Sequence, residues 1–550
     1  MRNLQAGMPY KIGGYQMNNV KLIIDNQNIT VPADSSVLEA AWKINAKIPT
    51  LCYLNGYERF TSCMICVVYE ANTDRLIPAC SAIVSEGMRI TTDNDLVREA
   101  RKDALDFLLS EHIGDCDAPC QRACPAHMNI PLMIRQIADG KLEGAIQTIK
   151  KDIALPAVLG RICSAPCEKG CHRKSYDLPI SICLLKRYAA DVDLAQTTPY
   201  FPILPKGSGK KVAVIGAGPT GLSAAYYTLL FGHACDVYDN NPLPGGKLRY
   251  GISDDLLPKS VLDQEIDLIE KSGATFLMDR YLGKDLDWKE LKENYDAVIL
   301  AVGKTELQVF EYSGIELSRG TVIIDKKTYQ TSLQGFFAGG NAVSVSESQM
   351  AIRALAHGKN IAFSVNQFLK GKTVTGPVSR FHSILGKIQE DEVSEFIKEA
   401  TDQERVVPSD MESRGYSEEE AVKESSRCFG CDCRKPDSCR LRQYAEDYKA
   451  SQRRFTFVER KKFQKNIQHD LVVYEPGKCI KCGLCVQITK KAGENFGLTF
   501  VDRGFDVRIQ AALDVPLNKG LEKAAAECVL NCPTGSLSWK DRENKGDINP

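Results

Sequence analysis

Val212-Ala213-Val214-Ile215-Gly216-Ala217-Gly218-Pro219-Thr220-Gly221 decides the fold of the middle of this chain. Four apolar residues read as a buried strand, and the three glycines read as a tight turn that opens a helix. Such a turn lets a pyrophosphate approach the helix N-terminus, where unpaired backbone N–H groups point outward. A lone G-x-G-x-x-G is a weak signal. Here it has a strand before it, a helix after it and a second strand over residues 235–238. That strand ends at Asp239, placed to accept a hydrogen bond from a ribose hydroxyl. The α/β pattern then continues to about Lys372.

Outward from this stretch, composition narrows the possibilities. The 550 residues carry 70 basic and 70 acidic side chains, so neither nucleic acid nor an anionic membrane is expected as a partner. Apolar runs are strand-sized, as at residues 297–302, and residues 1–15 show no signal-peptide core. The expected location is cytoplasmic. Cysteine is the dominant signal: 21 residues, gathered in tight runs. A secreted disulfide framework fails on chain size and on the C-x2-C and C-x3-C spacings. Several such runs in one chain favour iron–sulfur clusters over zinc, because electron transfer uses several centres in series.

Residues 21–24 and 29–31 read as strands around the turn Asp25-Asn26, and Ser35 or Ser36 reads as the N-cap of a helix over 37–46. Cys52, Cys63, Cys66 and Cys80 follow with the spacing C-x10-C-x2-C-x13-C. A 2Fe–2S centre needs two thiolates on each iron, which such a loop supplies. This β-grasp pattern and spacing resemble the N-terminal domain of the iron–sulfur large subunit of bacterial NADH dehydrogenase.

Cys116, Cys120 and Cys124-Pro125-Ala126-His127 come next, and after them Leu155-Pro156-Ala157-Val158, Gly160-Arg161-Ile162-Cys163, Cys167-Glu168 and Cys171. These words resemble the N-terminal domain of the small subunit of NADPH-dependent glutamate synthase. The resemblance implies two 4Fe–4S clusters with interleaved ligands, Cys116, Cys120 and Cys171 on one and Cys124, Cys163 and Cys167 on the other. Each set lacks a fourth ligand, because the family's first cysteine is missing and Lys186 stands near its last position. His112 and Cys183 are the available substitutes.

The resemblance continues through Pro244-Gly245-Gly246-Lys247-Leu248-Arg249-Tyr250-Gly251, through the strand ending at Gly303 and through Gly339-Gly340-Asn341, ahead of a helix over 349–368. It implies bound FAD, with Gly216, Ala217, Gly218, Pro219, Thr220, Gly221, Asp239, Gly246, Lys247, Arg249, Gly303, Gly340 and Asn341 as binding residues. Asn341 stands where the family usually has Asp. The family inserts a nucleotide domain after the strand ending at Gly303. Here only 17 residues, 304–320, precede the next strand. A βαβ unit takes about 30 or more, so no NAD(P)H domain is expected.

Cys428, Cys431, Cys433 and Cys439 fall within twelve residues and suit a 4Fe–4S cluster or zinc. Cys479, Cys482 and Cys485 have the C-x2-C-x2-C spacing of a 4Fe–4S site. Cys532, just before Pro533, is the expected fourth ligand and Cys528 the alternative, both after a helix over 521–526. Residues 455–540 again resemble the NADH dehydrogenase large subunit.

The expected fold class is multidomain α/β and α+β. A ferredoxin-like β-grasp domain spans 18–98, a helical double-cluster domain 99–200 and a Rossmann-like FAD domain 208–372. A helical linker with a four-cysteine site spans 373–450, and a 4Fe–4S ferredoxin-like domain 451–540. The expected cofactors are FAD, one 2Fe–2S cluster and three to four 4Fe–4S clusters. The expected role is an electron-transfer subunit of a soluble multi-subunit oxidoreductase, with electron bifurcation left open. Expected partners are an NADH-oxidising FMN and iron–sulfur subunit, ferredoxin, and a hydrogenase- or formate-dehydrogenase-like catalytic subunit. No catalytic residue is assigned within this chain. A structural adaptor with an inactive flavin fold, or a partner of a glutamate-synthase-like amidotransferase, are the alternatives.

Overall fold

The computed structural model describes residues 18–304, 307–310, 313–343, 350–410, 415–455 and 460–542. It divides into two compact units. The first gathers Met1–Gly114, Phe381–Leu385 and Arg434–Pro550, and the second Asp115–Arg380 and Gly386–Cys433. Residues 373–450 are divided between the two units. Among the described residues, no helix is long and apolar enough to cross a membrane.

In the first unit, Asn19–Ile24 and Gln27–Pro32 form a hairpin. Asp25 and Asn26 both have positive φ, the conformation of a two-residue hairpin turn and one that these two residue types tolerate. The five-stranded sheet runs Gln27–Pro32, Asn19–Ile24, Arg89–Thr91, Val67–Glu70, Arg75–Pro78. Arg89–Thr91 is parallel to the first strand and antiparallel to Val67–Glu70, which gives the mixed sheet of a β-grasp. Ser36 caps the helix Val37–Trp42 in a reciprocal box with Glu39. That helix stops four residues before the expected end at residue 46. Two antiparallel pairs, Val472–Tyr474 with Leu537–Trp539 and Leu498–Val501 with Arg508–Ala511, complete the unit. The helix expected over 521–526 instead lies at Ala525–Asn531.

In the second unit, six short helices precede a five-stranded sheet. The strands run Phe336–Ala338, Ala297–Leu300, Lys211–Ile215, Ala234–Tyr238, Ala274–Leu277, all parallel. Their near-continuous apolar sequence fits a sheet covered on both faces. Helices Pro219–Leu230 and Ala351–Leu369 pack on each other beside it. Gln349, the expected start of the second helix, lies outside the described residues. Among the described residues between Leu300 and Phe336, regular structure amounts to one short turn of helix, Leu307–Phe310, and the hairpin Leu317–Ser318 with Thr321–Val322. No second nucleotide fold is present among them.

Candidate redox centres

All 21 cysteines are free thiols, so their grouping is the information. In the first unit Cys52, Cys63, Cys66 and Cys80 are buried in two hydrogen-bonded pairs. The bond from Cys63 holds Cys52 down at about 5, and Cys63 is pushed up in return. Cys66 is pushed up by its bond to Cys80, which it holds at about 7. Two pairs of thiols match the demand of two irons for two sulfurs each.

Cys479, Cys482, Cys485 and Cys532 line one small enclosed cavity of about 20 Å³ in the same unit, walled by Tyr474, Ile509 and Leu537. Cys528 does not line it; its thiol faces the Cys485 carbonyl oxygen at 3.8 Å. Burial, then Cys532, push the Cys482 thiol up, and Cys52 is near enough to contribute.

The second unit holds two more groups. Cys120, Cys171, Cys428 and Cys431 line an enclosed cavity with Pro131, Ile134, Ile180 and Phe429. Burial raises Cys120 well above its ordinary value, and the charges of Cys171, Cys428 and Cys431 add to it. The lining differs from the expected set, with two residues from the later run beside Cys120 and Cys171. The cause is a buried network: Arg173 and Arg427 both pair with Asp177, and Arg427 also pairs with Glu424. Closing this network around Arg173 brings residues 427–431 up to Cys171.

Cys124, Cys163, Cys167 and Cys183 form the other group, around Lys186. Cys183 hydrogen-bonds Cys163 and Cys167. Three of the thiols sit at helix ends: Cys124 and Cys163 terminate Pro119–Ala123 and Pro156–Ile162, and Cys183 lies in the first turn of Ile182–Leu194. The two groups interleave, since Cys120 and Cys124, and likewise Cys167 and Cys171, are one helical turn apart.

Of the four cysteines expected to form one site, Cys428 and Cys431 line the cavity with Cys120 and Cys171. Cys433 donates its N–H to the Cys116 carbonyl at 3.1 Å, and Cys439 belongs to the first unit, where it immediately precedes the helix Arg440–Asp447. His112 is half-buried in the first unit, and its enclosed Nδ1 has no hydrogen-bond partner among the described residues. Burial, aided by Lys478, holds it down at about 4.

A cavity of about 910 Å³ opens at the ends of the parallel strands, where open α/β sheets bind ligands. Gly216, Gly218, Pro219, Thr220, Asp239, Gly246, Lys247, Gly303 and Asn341 line it. The cradle demands its glycines: a Cβ on Gly216 would lie 2.4 Å from the Ala301 carbonyl oxygen, and one on Gly221 1.7 Å from that of Gly216. Gly340 sits behind the wall, its N–H donating to His357 Nδ1 at 3.2 Å. Asp239 does more than face the cavity. Its Oδ2 accepts from Ala217 N–H at 2.6 Å and its Oδ1 from Asn241 N–H at 2.9 Å, so it builds the turn. Arg249 departs from expectation: it pairs with Asp263 and the Pro244 carbonyl and does not line the cavity. An elongated dinucleotide fits a glycine cradle with this volume. Ser164, next to Cys163, reaches Met350 Sδ at 3.2 Å, and the adjoining Ala351 lines the cavity.

Comparison with known proteins gives three segment matches. Residues 17–95 match the 2Fe–2S iron–sulfur cluster binding domain, and 110–198 the 4Fe–4S domain II of dihydropyrimidine dehydrogenase. Residues 185–358 match the pyridine nucleotide-disulphide oxidoreductase family. NADPH-Fe(3+) oxidoreductase subunit beta of Geobacter sulfurreducens is 37% identical over 221 residues, 38% of this chain and 33% of that protein. NADP(+)-dependent formate dehydrogenase subunit beta of Moorella thermoacetica is 39% identical over 207 residues, 34% of this chain and 29% of that protein. The PreT subunit of NAD-dependent dihydropyrimidine dehydrogenase from Escherichia coli (strain K12) is 39% identical over 207 residues, 37% of this chain and 50% of that protein. The matches thus span half or less of these relatives. The chain thus joins segments that match a 2Fe–2S cluster binding domain, the 4Fe–4S domain II of dihydropyrimidine dehydrogenase and the pyridine nucleotide-disulphide oxidoreductase family.

Proposed function

We propose that this chain is an electron-transfer subunit that exchanges electrons between a bound FAD and iron–sulfur clusters and passes them to partner subunits. Cys52, Cys63, Cys66 and Cys80 would hold the 2Fe–2S cluster. Three 4Fe–4S clusters would sit on Cys479, Cys482, Cys485 and Cys532, on Cys120, Cys171, Cys428 and Cys431, and on Cys124, Cys163, Cys167 and Cys183. His112, Cys116, Cys433 and Cys439 are further candidate ligands. FAD supplies conversion between paired and single electrons when bound. The chain's own part is to hold the pyrophosphate at the Gly216–Gly221 turn, to exclude water from the thiol groups, and to keep the centres close.

The observation that carries this reading is the short path from the flavin cavity through Ala351, Met350 and Ser164 to Cys163. The partners that fit are an NAD(P)H-oxidising flavoprotein, ferredoxin and a catalytic subunit such as a hydrogenase or formate dehydrogenase, with bifurcation as one mode of coupling. The relatives are subunits of such oxidoreductases by name, and this chain shows no nucleotide domain of its own among its described residues. The test is anaerobic: dithionite reduces the full chain, and oxidised ferredoxin is then added. The flavin and cluster absorbances should return together, and NADH or NADPH alone should bleach neither. A flavin that stays reduced beside ferredoxin would leave only the adaptor role, and bleaching by NADH alone would overturn the dependence on a partner.

A further inference from the structure

Lys150, Lys186 and Lys478 are all 3% exposed. An ammonium taken out of water needs a counter-charge, because its lost hydration is expensive. Lys150 has Asp193 at 2.6 Å and Lys478 has Glu475 at 2.6 Å. Among the described residues, Lys186 pairs with no carboxylate. The charges it faces are the sulfurs of Cys183, Cys163, Cys167 and Cys124. Cys183 and Lys186 lie one turn apart on the same helix, which puts both side chains on one face. The acidic groups nearby are committed elsewhere. Glu168 accepts from Cys183 N–H at 3.0 Å and pairs with Arg405 at 3.0 Å, while Asp191 pairs with Arg161 and Arg187. The neighbouring thiol group differs in this respect. Arg173, which lines its cavity, is neutralised by Asp177 at 2.7 Å.

We propose that Lys186 is a fixed positive charge that raises the reduction potential of the cluster held by Cys124, Cys163, Cys167 and Cys183, making it the centre that first holds an electron leaving the flavin. The inference rests on the four-thiol reading given above. Reduction adds one electron from a low-potential donor and no proton, so the site becomes one charge more negative while the ammonium keeps its charge. The attraction between them grows with that electron. In a dry interior this interaction is several times stronger than in water, and it has no competing carboxylate to share it. A neutral amide or thioether at this position would leave the same four sulfurs with no cation.

The experiment is an anaerobic potentiometric titration with dithionite and mediators on the full chain, Lys186→Met and Lys186→Arg. It is read by electron paramagnetic resonance, with iron per chain measured on each sample. The relevant signal is the one that Cys183→Ser removes. At the wild-type midpoint, Lys186→Met should lower the reduced-to-oxidised ratio of this cluster at least tenfold, a midpoint shift of about 59 mV to lower potential, whereas Lys186→Arg should stay within about threefold. An unmoved midpoint in a fully iron-loaded Lys186→Met chain overturns the proposal and leaves the cluster assignment standing. A Cys183→Ser chain that loses neither iron nor signal overturns the four-thiol reading instead. If Lys186→Met fails to load iron, Lys186→Arg decides, since a tenfold fall there despite the retained charge also overturns the proposal.

Discussion

Arg173 Nη1 donates a hydrogen bond to the carbonyl oxygen of Arg427 at 2.9 Å, joining residues 254 positions apart in the chain. One partner lies two residues after Cys171 and the other immediately before Cys428. Both guanidinium groups are fully buried and both pair with Asp177. The bond and its two ion pairs therefore set the spacing of the thiol group built from Cys120, Cys171, Cys428 and Cys431.

Arg427→Met tests that dependence. Arg427 also bonds Glu424, the Leu178 carbonyl and the Gln403 carbonyl. Removing it leaves buried Glu424, which still accepts from Ser181 and Val406 N–H, without its cation and takes one of two guanidinium partners from the partly exposed Asp177, a loss of about 3–5 kcal/mol. The expected outcome is a lower melting temperature and loss of one cluster's iron, with the spectrum of Cys428→Ser. Retention of full iron content would show that apolar packing alone holds residues 427–431 in place.

Cys532→Ser should destroy or convert the cluster of the C-terminal segment, whereas Cys528→Ser should keep its iron and native spectrum. The reason is placement: Cys532 lines the cavity with Cys479, Cys482 and Cys485, and Cys528 faces a carbonyl outside it. Iron analysis and electron paramagnetic resonance of the two variants decide between them, and the reverse pattern would assign the ligand to Cys528.

Asp239→Ala should weaken FAD retention about ten- to a hundredfold, the equivalent of about 1.5–3 kcal/mol for a lost charged hydrogen bond. Its effect reaches further than one contact, because Ala217 N–H in the glycine turn loses its acceptor. Asp239→Asn keeps one acceptor oxygen and should fall between the two. Equilibrium dialysis of the flavin against each variant is the measurement, and equal affinity in all three would remove Asp239 from the binding site.

Glu265 offers a pH dependence. Its carboxylate accepts from Ala157 N–H at 2.8 Å and Val158 N–H at 2.9 Å, at the start of the helix that ends in Cys163. Burial pushes it up from 4.5 to about 7. Between those values the folded chain keeps a proton that the unfolded chain releases. The stability it contributes is therefore present below about 4.5 and declines as pH rises toward about 7, by up to about 1.4 kcal/mol per unit. Amide exchange at Ala157 and Val158 should speed up across this window beyond its intrinsic dependence. Glu265→Gln should flatten the trend, and the same slope in both chains would place its origin in another group.

Much of the molecule is local and was legible in the residues alone. The hairpin turn at Asp25-Asn26, the Ser36 cap, the glycine turn after Ile215 and the C-x2-C-x2-C run at Cys479 each need only a few neighbouring residues, so spacing and residue type suffice. The shortage of chain between Gly303 and Thr321 is likewise a matter of length. Cys428, Cys431, Cys433 and Cys439 show where such reading stops. Their compact spacing suggests one site, yet the fold sends the first two to Cys120 and Cys171, while Cys433 bonds back to Cys116. Nothing in the local spacing encodes that division, because it follows from burying Arg173 and Arg427 against shared carboxylates. Asp239 and Lys186 follow the same rule. The sequence by itself determined which residues could bind; only the tertiary structure decided that Asp239 also holds the Ala217 amide and that Lys186 faces four sulfurs. The physical reason is that a buried charge takes its partner from whatever packing brings near, and that neighbour can lie anywhere in the chain.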